Sequence, residues 1–423
     1  MFGSVVTDPV AGPAACADAG QRPFVDITPV LRSRVGRTLV PRILDVMEAR
    51  SAVVLRRLCD DPRLAVRNTS LWPFVQRLLT VLVRFRIPVW IGQALLCPAA
   101  ARRRVDRIGR QLGEQLSVPA GVTATQRLDH AQRLLGSSIV PIMPAVTPAA
   151  GAGFLARALA RKLAGDSVEP DEWDEMLRGL PHNVTTEMDL ELWALATRIR
   201  ADAAAAAALQ VADFAVLAQR YARRDLPPRL QQGLEDFLAR HGHRAVAEID
   251  VGMPRWSDDP TYVLGVLANY LRLEDPDLAP NVQFSRGGRA AEAAVLGVVT
   301  RVRRRGRLRA AAVSVSLGRM RELVGMRETH KDHLVRVLAH VRVQLAMVGS
   351  ELALAGLLAR PEDVFFLDLV QVRAALAGTD LRGAAARTTS GSCAGGRCRG
   401  SCSPTAPSQR HSPVPITSRL MVN

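Results

Sequence analysis

The segment from Lys331 to Leu358 carries apolar residues at Leu334, Val337, Leu338, Val341, Leu345 and Val348. Steps of three and four place these side chains on one face of an α-helix. Similar patterns recur at Arg37–Ala49, Ala52–Cys59 and Leu71–Val83, and a helix precedes His241. Each such stripe has to be buried against another, so a chain built from them folds as helix on helix. Composition agrees. Hydrophobic residues make up 48% of 423 positions but aromatics only 4%, which disfavours strands, since strands draw on aromatic and β-branched residues. The expected fold class is mainly α, an irregular multi-helix bundle with a few short extended segments such as Pro23–Ile27.

Other stretches refine this outline. Asp171–Leu177 reads as a short acidic helix, and Thr185 or Thr186 as the cap of a helix opened by Glu187 and Asp189. The Ala-rich stretch Ala201–Arg224 allows close helix packing. Leu278–Ser285 reads as a loop and Arg289–Arg327 as a long helix or helical pair. Pro361–Leu376 (PEDVFFLDLVQVRAAL) reads as an aromatic turn or short strand followed by a helix, with Asp368 as its cap. Leu134–Ala156 has no charge, which raises the question of a membrane span. Pro141, Pro144 and Pro148 with several Gly and Ser favour a broken, buried helical hairpin instead. Ile87–Pro98 is too short to span a bilayer and reads as core. The expected organisation is a mobile leader (1–20), an N-terminal helical subdomain (21–150), a second helical subdomain (151–380) and a disordered tail (381–423).

The formal net charge is +16, from 56 basic and 40 acidic residues. Lys occurs only at 162 and 331, so nearly all the basic residues are Arg, a bias of GC-rich coding rather than of a binding surface. The tail from Leu381 holds six Arg and no acid. Arg301–Arg309 has no interleaved aromatic and reads as a solvated helix face, so neither nucleic acid nor membrane is expected as a partner. The six Cys lack zinc-site spacing, and the N-terminus lacks a signal-peptide pattern, which points to a reducing, cytoplasmic setting.

The stretch His241–Pro260 (HGHRAVAEIDVGMPRWSDDP) concentrates polar chemistry between two helical patterns. Its candidate site residues are Arg244, Glu248, Asp250, Arg255 and Trp256, converging on one cleft. In an extended segment Glu248 and Asp250 share a face, and Arg244 reaches either of them. The alternative carries about equal weight by residue type: a crossover whose Arg–carboxylate pairs tie helices together. Neither His241/His243 nor His330/His333 has a metal-site arrangement, so no metal is expected. Met326–Lys331 (MRETHK) reads first as surface ion pairs.

Four stretches together carry a resemblance: Phe24–Leu31 (FVDITPVL), Gly179–Trp193 (GLPHNVTTEMDLELW), the central stretch, and MRETHK with Pro361–Leu369 (PEDVFFLDL). In that order they resemble the central domain of the phosphoenolpyruvate synthase and rifampin phosphotransferase family, over roughly residues 20–380. The resemblance implies a substrate-recognition part of an ATP-dependent phosphotransferase, a kinase-type enzyme, without phosphotransfer activity on its own. Family members add an ATP-grasp domain and a swivelling domain with a phosphorylated His, and use ATP and Mg. No cofactor is expected in this chain, which lacks a GxxxxGK[ST] loop, a GxGxxG fingerprint and the phosphohistidine setting. The implied partners are ATP-grasp and phosphohistidine domains encoded separately, and a small-molecule acceptor. By the same resemblance Arg244 and Arg255 hold an anion or carboxylate, Glu248 and Asp250 accept hydroxyl protons, Trp256 packs a ring, and MRETHK forms a cavity wall. The competing reading is a non-catalytic helical interaction protein or a decayed remnant of such an enzyme.

Overall fold

The computed structural model describes residues 16–383, apart from 20, 21, 26, 48, 68–71, 120, 211 and 212. The expectations for residues 1–15 and 384–423 lie outside the described residues. Strands β1 (Cys16–Ala19) and β2 (Arg22–Val25) form an antiparallel hairpin with Cys16 opposite Val25, so the last residues of the expected leader pair as a strand. Helices follow. They are α1 (Thr28–Leu31), α2 (Arg34–Met47), α3 (Ala49–Cys59), α4 (Trp72–Arg84), α5 (Ile87–Leu96), α6 (Pro98–Leu116), α7 (Ala124–Arg133), α8 (Ile139–Ala164) and α9 (Pro170–Glu175). The rest are α10 (Val184–Arg200), α11 (Ala203–Leu209), α12 (Phe214–Ala222), α13 (Pro228–His241), α14 (Thr261–Leu271), α15 (Pro280–Arg303), α16 (Arg307–Val324), α17 (Thr329–Leu354) and α18 (Leu369–Leu376). The chain is mainly α, as its periodicity requires.

Three apolar clusters hold the helices. The first joins α5 to α7 and the first half of α8 to α17 and α18, through residues such as Leu128, Val146, Val337 and Val348. The second fills α10–α14, around Leu195, Leu234, Phe237 and Leu264. The third packs the second half of α8 against α9, α15 and α16, around Ala160, Met176, Val298 and Leu317. The division expected at residue 150 therefore falls inside α8, and one core is shared by residues from 94 to 375.

Several local expectations are corrected. Leu134–Ala156 is no hairpin: a π-turn at Leu134–Ser138 leads into the continuous 26-residue α8, with Pro144 and Pro148 inside it. Pro141 sits in the first turn, where no backbone donor is needed. Side chains also tie this part of α8: Thr147 Oγ1 donates to Met143 O at 2.6 Å and Arg104 Nη1 to Ala145 O at 2.7 Å. Ala124–Ser167 and Arg307–Leu354 are long and apolar enough to cross a membrane, and 56% and 44% of their most apolar windows are buried within the fold, where α8, α16 and α17 contribute to the cores. The expected loop 278–285 is mostly helix, because Pro280 at the first helical position presets the backbone for α15. Ala201–Arg224 splits into α11 and α12, each with its own Asp cap: Asp202 accepts from Ala205 N at 3.0 Å and Asp213 from Ala215 N at 2.9 Å. Residues 361–366 are a 3₁₀ turn, and Asp368 caps α18 in a reciprocal box with Gln371.

Candidate functional site

The central stretch leaves α13 at His241 and is coiled rather than extended. Turns close at Arg244 N to His241 O, Asp250 N to Ala247 O and Met253 N to Asp250 O. The two ends of the loop are then joined by Trp256 N to Arg244 O (2.9 Å) and Ser257 N to Gly242 O (3.0 Å). Glu248 and Asp250 consequently do not share a strand face. Glu248 is buried, while Asp250 Oδ1 accepts from Gly252 N at 2.8 Å and shapes the turn.

Arg244 and Glu248 form the heart of a buried ion network with the first turn of α17. Arg244 Nε lies 3.1 Å from Glu248 Oε2, off the line of its N–H, and Arg244 Nη1 lies 3.5 Å from Asp332 Oδ1. His243 Nε2 meets the same Asp332 oxygen at 2.9 Å, Arg336 Nε takes Asp332 Oδ2 at 2.9 Å, and Lys331 Nζ reaches Glu248 Oε1 at 2.8 Å. Burial pushes the Asp332 carboxyl up, but the hydrogen bond and charge of His243, then Arg336 and Arg244, outweigh it and hold the group at about 2. Lys331 of MRETHK is thereby tied to the central stretch, whereas Arg327 pairs with Glu328 at 3.2 Å.

Arg255 and Trp256 lie deeper. Arg255 is 1% exposed; its Nη1 donates to Glu248 O at 2.8 Å, and its Nε and Nη2 meet no protein acceptor among the described residues. Trp256 stacks between Phe237 (6.4 Å) and Tyr262 (5.6 Å) in the second core. Asp258 accepts from Arg255 N at 3.0 Å and from Arg342 Nε at 2.8 Å. The structure thus brings Arg244, Glu248 and Arg255 into one buried cluster, while Trp256 faces a separate apolar core and Asp250 serves a turn. None of the five lines either of the two cavities described here.

An open cleft of about 390 Å³ lies beside this network. Ala99, Arg102, Arg103, Val105 and Asp106 of α6 form one wall; His182, Val184 and Glu187 form another; Met326 and Thr329 close it. Arg244 Nη2, 3.5 Å from Thr185 Oγ1, connects the network to the second wall. The loop before α10 is pinned from several sides. Arg321 donates to Met176 O (2.8 Å), Arg178 O (3.1 Å) and Gly179 O (3.4 Å). A side chain at Gly179 would sit 2.5 Å from Gly288 N, and one at Gly325 1.9 Å from Pro181 O, so both backbones approach where only glycine fits. Asn183, rather than the expected Thr185 or Thr186, caps α10 by accepting from both of their amides. Between these anchors His182 adopts φ +61°, unusual for a residue with a side chain. Its Nε2 contacts Arg102 Nη1. Burial and Arg102 hold the His182 pKa below its usual value, against Glu187, Glu322 and Asp106.

Sequence reasoning missed the α6 wall altogether, since no pattern in Arg102–Asp106 marks it. His182, Val184, Glu187, Met326 and Thr329 do fall inside two of the stretches that carry the resemblance.

Residues 142–328 match the family model described as the rifampicin phosphotransferase fourth domain. Over that stretch the chain is similar to a domain of the rifampicin phosphotransferase family. Curated relatives agree over 201 residues, 47% of this chain: rifampicin phosphotransferases of Streptomyces sviceus at 29% identity, of Bacillus subtilis at 25% and of a Streptomyces species at 30%. The matched stretch covers 23% of each relative's length. The matched stretch contains α9–α16 and most of α8, and so supplies His182, Val184, Glu187 and Met326 to the cleft.

Proposed function

We propose that this chain is the acceptor-recognition part of a rifampicin phosphotransferase-like enzyme and that its cleft takes a hydroxylated small molecule, with rifampicin as the first candidate. The observation that carries the reading is convergence. Two stretches far apart in sequence, 179–193 and 326–331, meet α6 around one cleft that holds cationic, carboxylate, hydroxyl and apolar groups together. Arg102 and Arg103 suit an anionic or carbonyl oxygen, Asp106 and Glu187 suit hydroxyl groups, and Val105, Val184 and Met326 suit an apolar body. In this reading Arg244, Glu248 and Arg255 hold the adjoining wall and the start of α17 rather than touching the acceptor. Phosphoryl transfer falls to ATP-grasp and phosphohistidine domains outside this chain, with ATP and Mg, in the cytoplasm.

Calorimetric titration of the chain with rifampicin tests this. Saturable binding that Ala99→Trp, a bulky insertion into the cleft, weakens by about tenfold or more is expected. Absence of binding at millimolar rifampicin, or binding indifferent to Ala99→Trp, overturns the assignment.

A further inference from the structure

The loop that carries His182 is built to hold that one side chain. Arg321 and the glycine contacts at 179 and 325 fix the backbone before it, and the Asn183 cap fixes the backbone after it. His182 itself takes the left-handed conformation, a strained position for an imidazole-bearing residue, which persists only where the surroundings enforce it. Its ring contacts Arg102, and a guanidinium has donors but no acceptor. His182 Nε2 must therefore accept with its lone pair, which leaves the ring neutral and places its only proton on Nδ1. Nδ1 has no hydrogen-bond partner among the described residues, and His182 lines the open cleft with Arg102, Arg103, Asp106, Glu187 and Thr329.

We propose that His182 is a preset neutral hydrogen-bond donor of this cleft: Arg102 locks the tautomer, and Nδ1–H recognises a ligand oxygen that carries no hydrogen, such as a carbonyl, carboxylate or phenolate. It is a specificity-determining residue and not a base, because its lone pair is occupied by Arg102. The inference rests on the acceptor-recognition reading for its ligand, but its tautomer is a property of the free chain. The charged groups around the ring are Arg102, Glu187, Glu322 and Asp106, and Arg102 Nη2 also lies 3.7 Å from Glu322 Oε1.

Two measurements test it. Nitrogen-15 correlation spectra of the histidine rings in the free chain, with His182 assigned by loss of its signal in His182→Asn, report the tautomer directly. A neutral Nδ1–H ring at pH 7 is expected; an Nε2–H or doubly protonated ring overturns the inference whatever the ligand does. Titration with rifampicin then compares His182→Asn and His182→Gly. Asn tolerates the backbone and offers an amide donor near Nδ1, so affinity within about threefold of the parent is expected. Gly relieves the strain but removes the donor, so affinity falls about tenfold while the melting temperature holds. Equal binding by His182→Gly rejects the donor role while leaving the cleft assignment intact. Absence of binding by the parent rejects the cleft assignment, and the ring spectra alone then decide His182.

Discussion

Replacing Asp332 by Asn keeps the shape of the side chain and removes one charge from the most connected point of the buried network. Asp332 is 5% exposed and faces His243, Arg336 and Arg244. Its carboxyl is held at about 2, against 3.8 for an unperturbed group. That depression corresponds to about 2–3 kcal/mol of stability at neutral pH. Removing one partner from a buried pair also strands the others, which elsewhere costs about 3–5 kcal/mol. The expected loss for Asp332→Asn is therefore about 2–5 kcal/mol. At roughly 2–4 °C per kcal/mol, the melting temperature falls by about 4–20 °C. The folded-state pKa lies below the unfolded one, so this stabilisation is complete above about pH 4 and disappears as pH falls from there toward 2. Parent and variant should thus differ most at pH 7 and converge in acid. Urea unfolding of both proteins at pH 7 and at closely spaced acidic values checks this. A pH 7 difference under about 1 kcal/mol, or a difference that grows in acid, refutes the reasoning.

Trp256 contributes its stacked face rather than its N–H, since Nε1 has no partner among the described residues. Trp256→Phe is expected to cost about 1 kcal/mol or less and Trp256→Ala about 3–5, measured by chemical denaturation. His130 and His340 pack edge to face at 5.3 Å between α7 and α17, each with an Nε2 lacking a protein partner. Burial first, then the charge of His130, lowers the His340 pKa from 6.5 to about 4. A depressed histidine favours the fold while neutral, so stability is full above about pH 6.5 and declines toward pH 4. His340→Phe should flatten that part of the pH–melting curve, and an unchanged slope would reject this account.

Periodicity alone was enough for the helical class, because steps of three and four residues are a property of the backbone and need no partner to be read. Residues 331–358 gave α17 in this way, and Asp368 gave its cap. The resemblance likewise pointed to stretches that the fold gathers around one cleft. What only the tertiary structure decided is which polar residues see solvent. Arg244, Glu248 and Arg255 look like site residues by type, yet loop 244–256 closes on itself and turns them toward Asp332, Lys331 and the backbone. Arg102 and Arg103 resemble any other arginines of this Arg-rich chain, and they gain meaning only because α6 crosses the loop that holds His182. Pro144 and Pro148 read as breaks, yet α8 runs through both. Local sequence specifies backbone periodicity, whereas burial and charge pairing belong to contacts between segments tens to hundreds of residues apart.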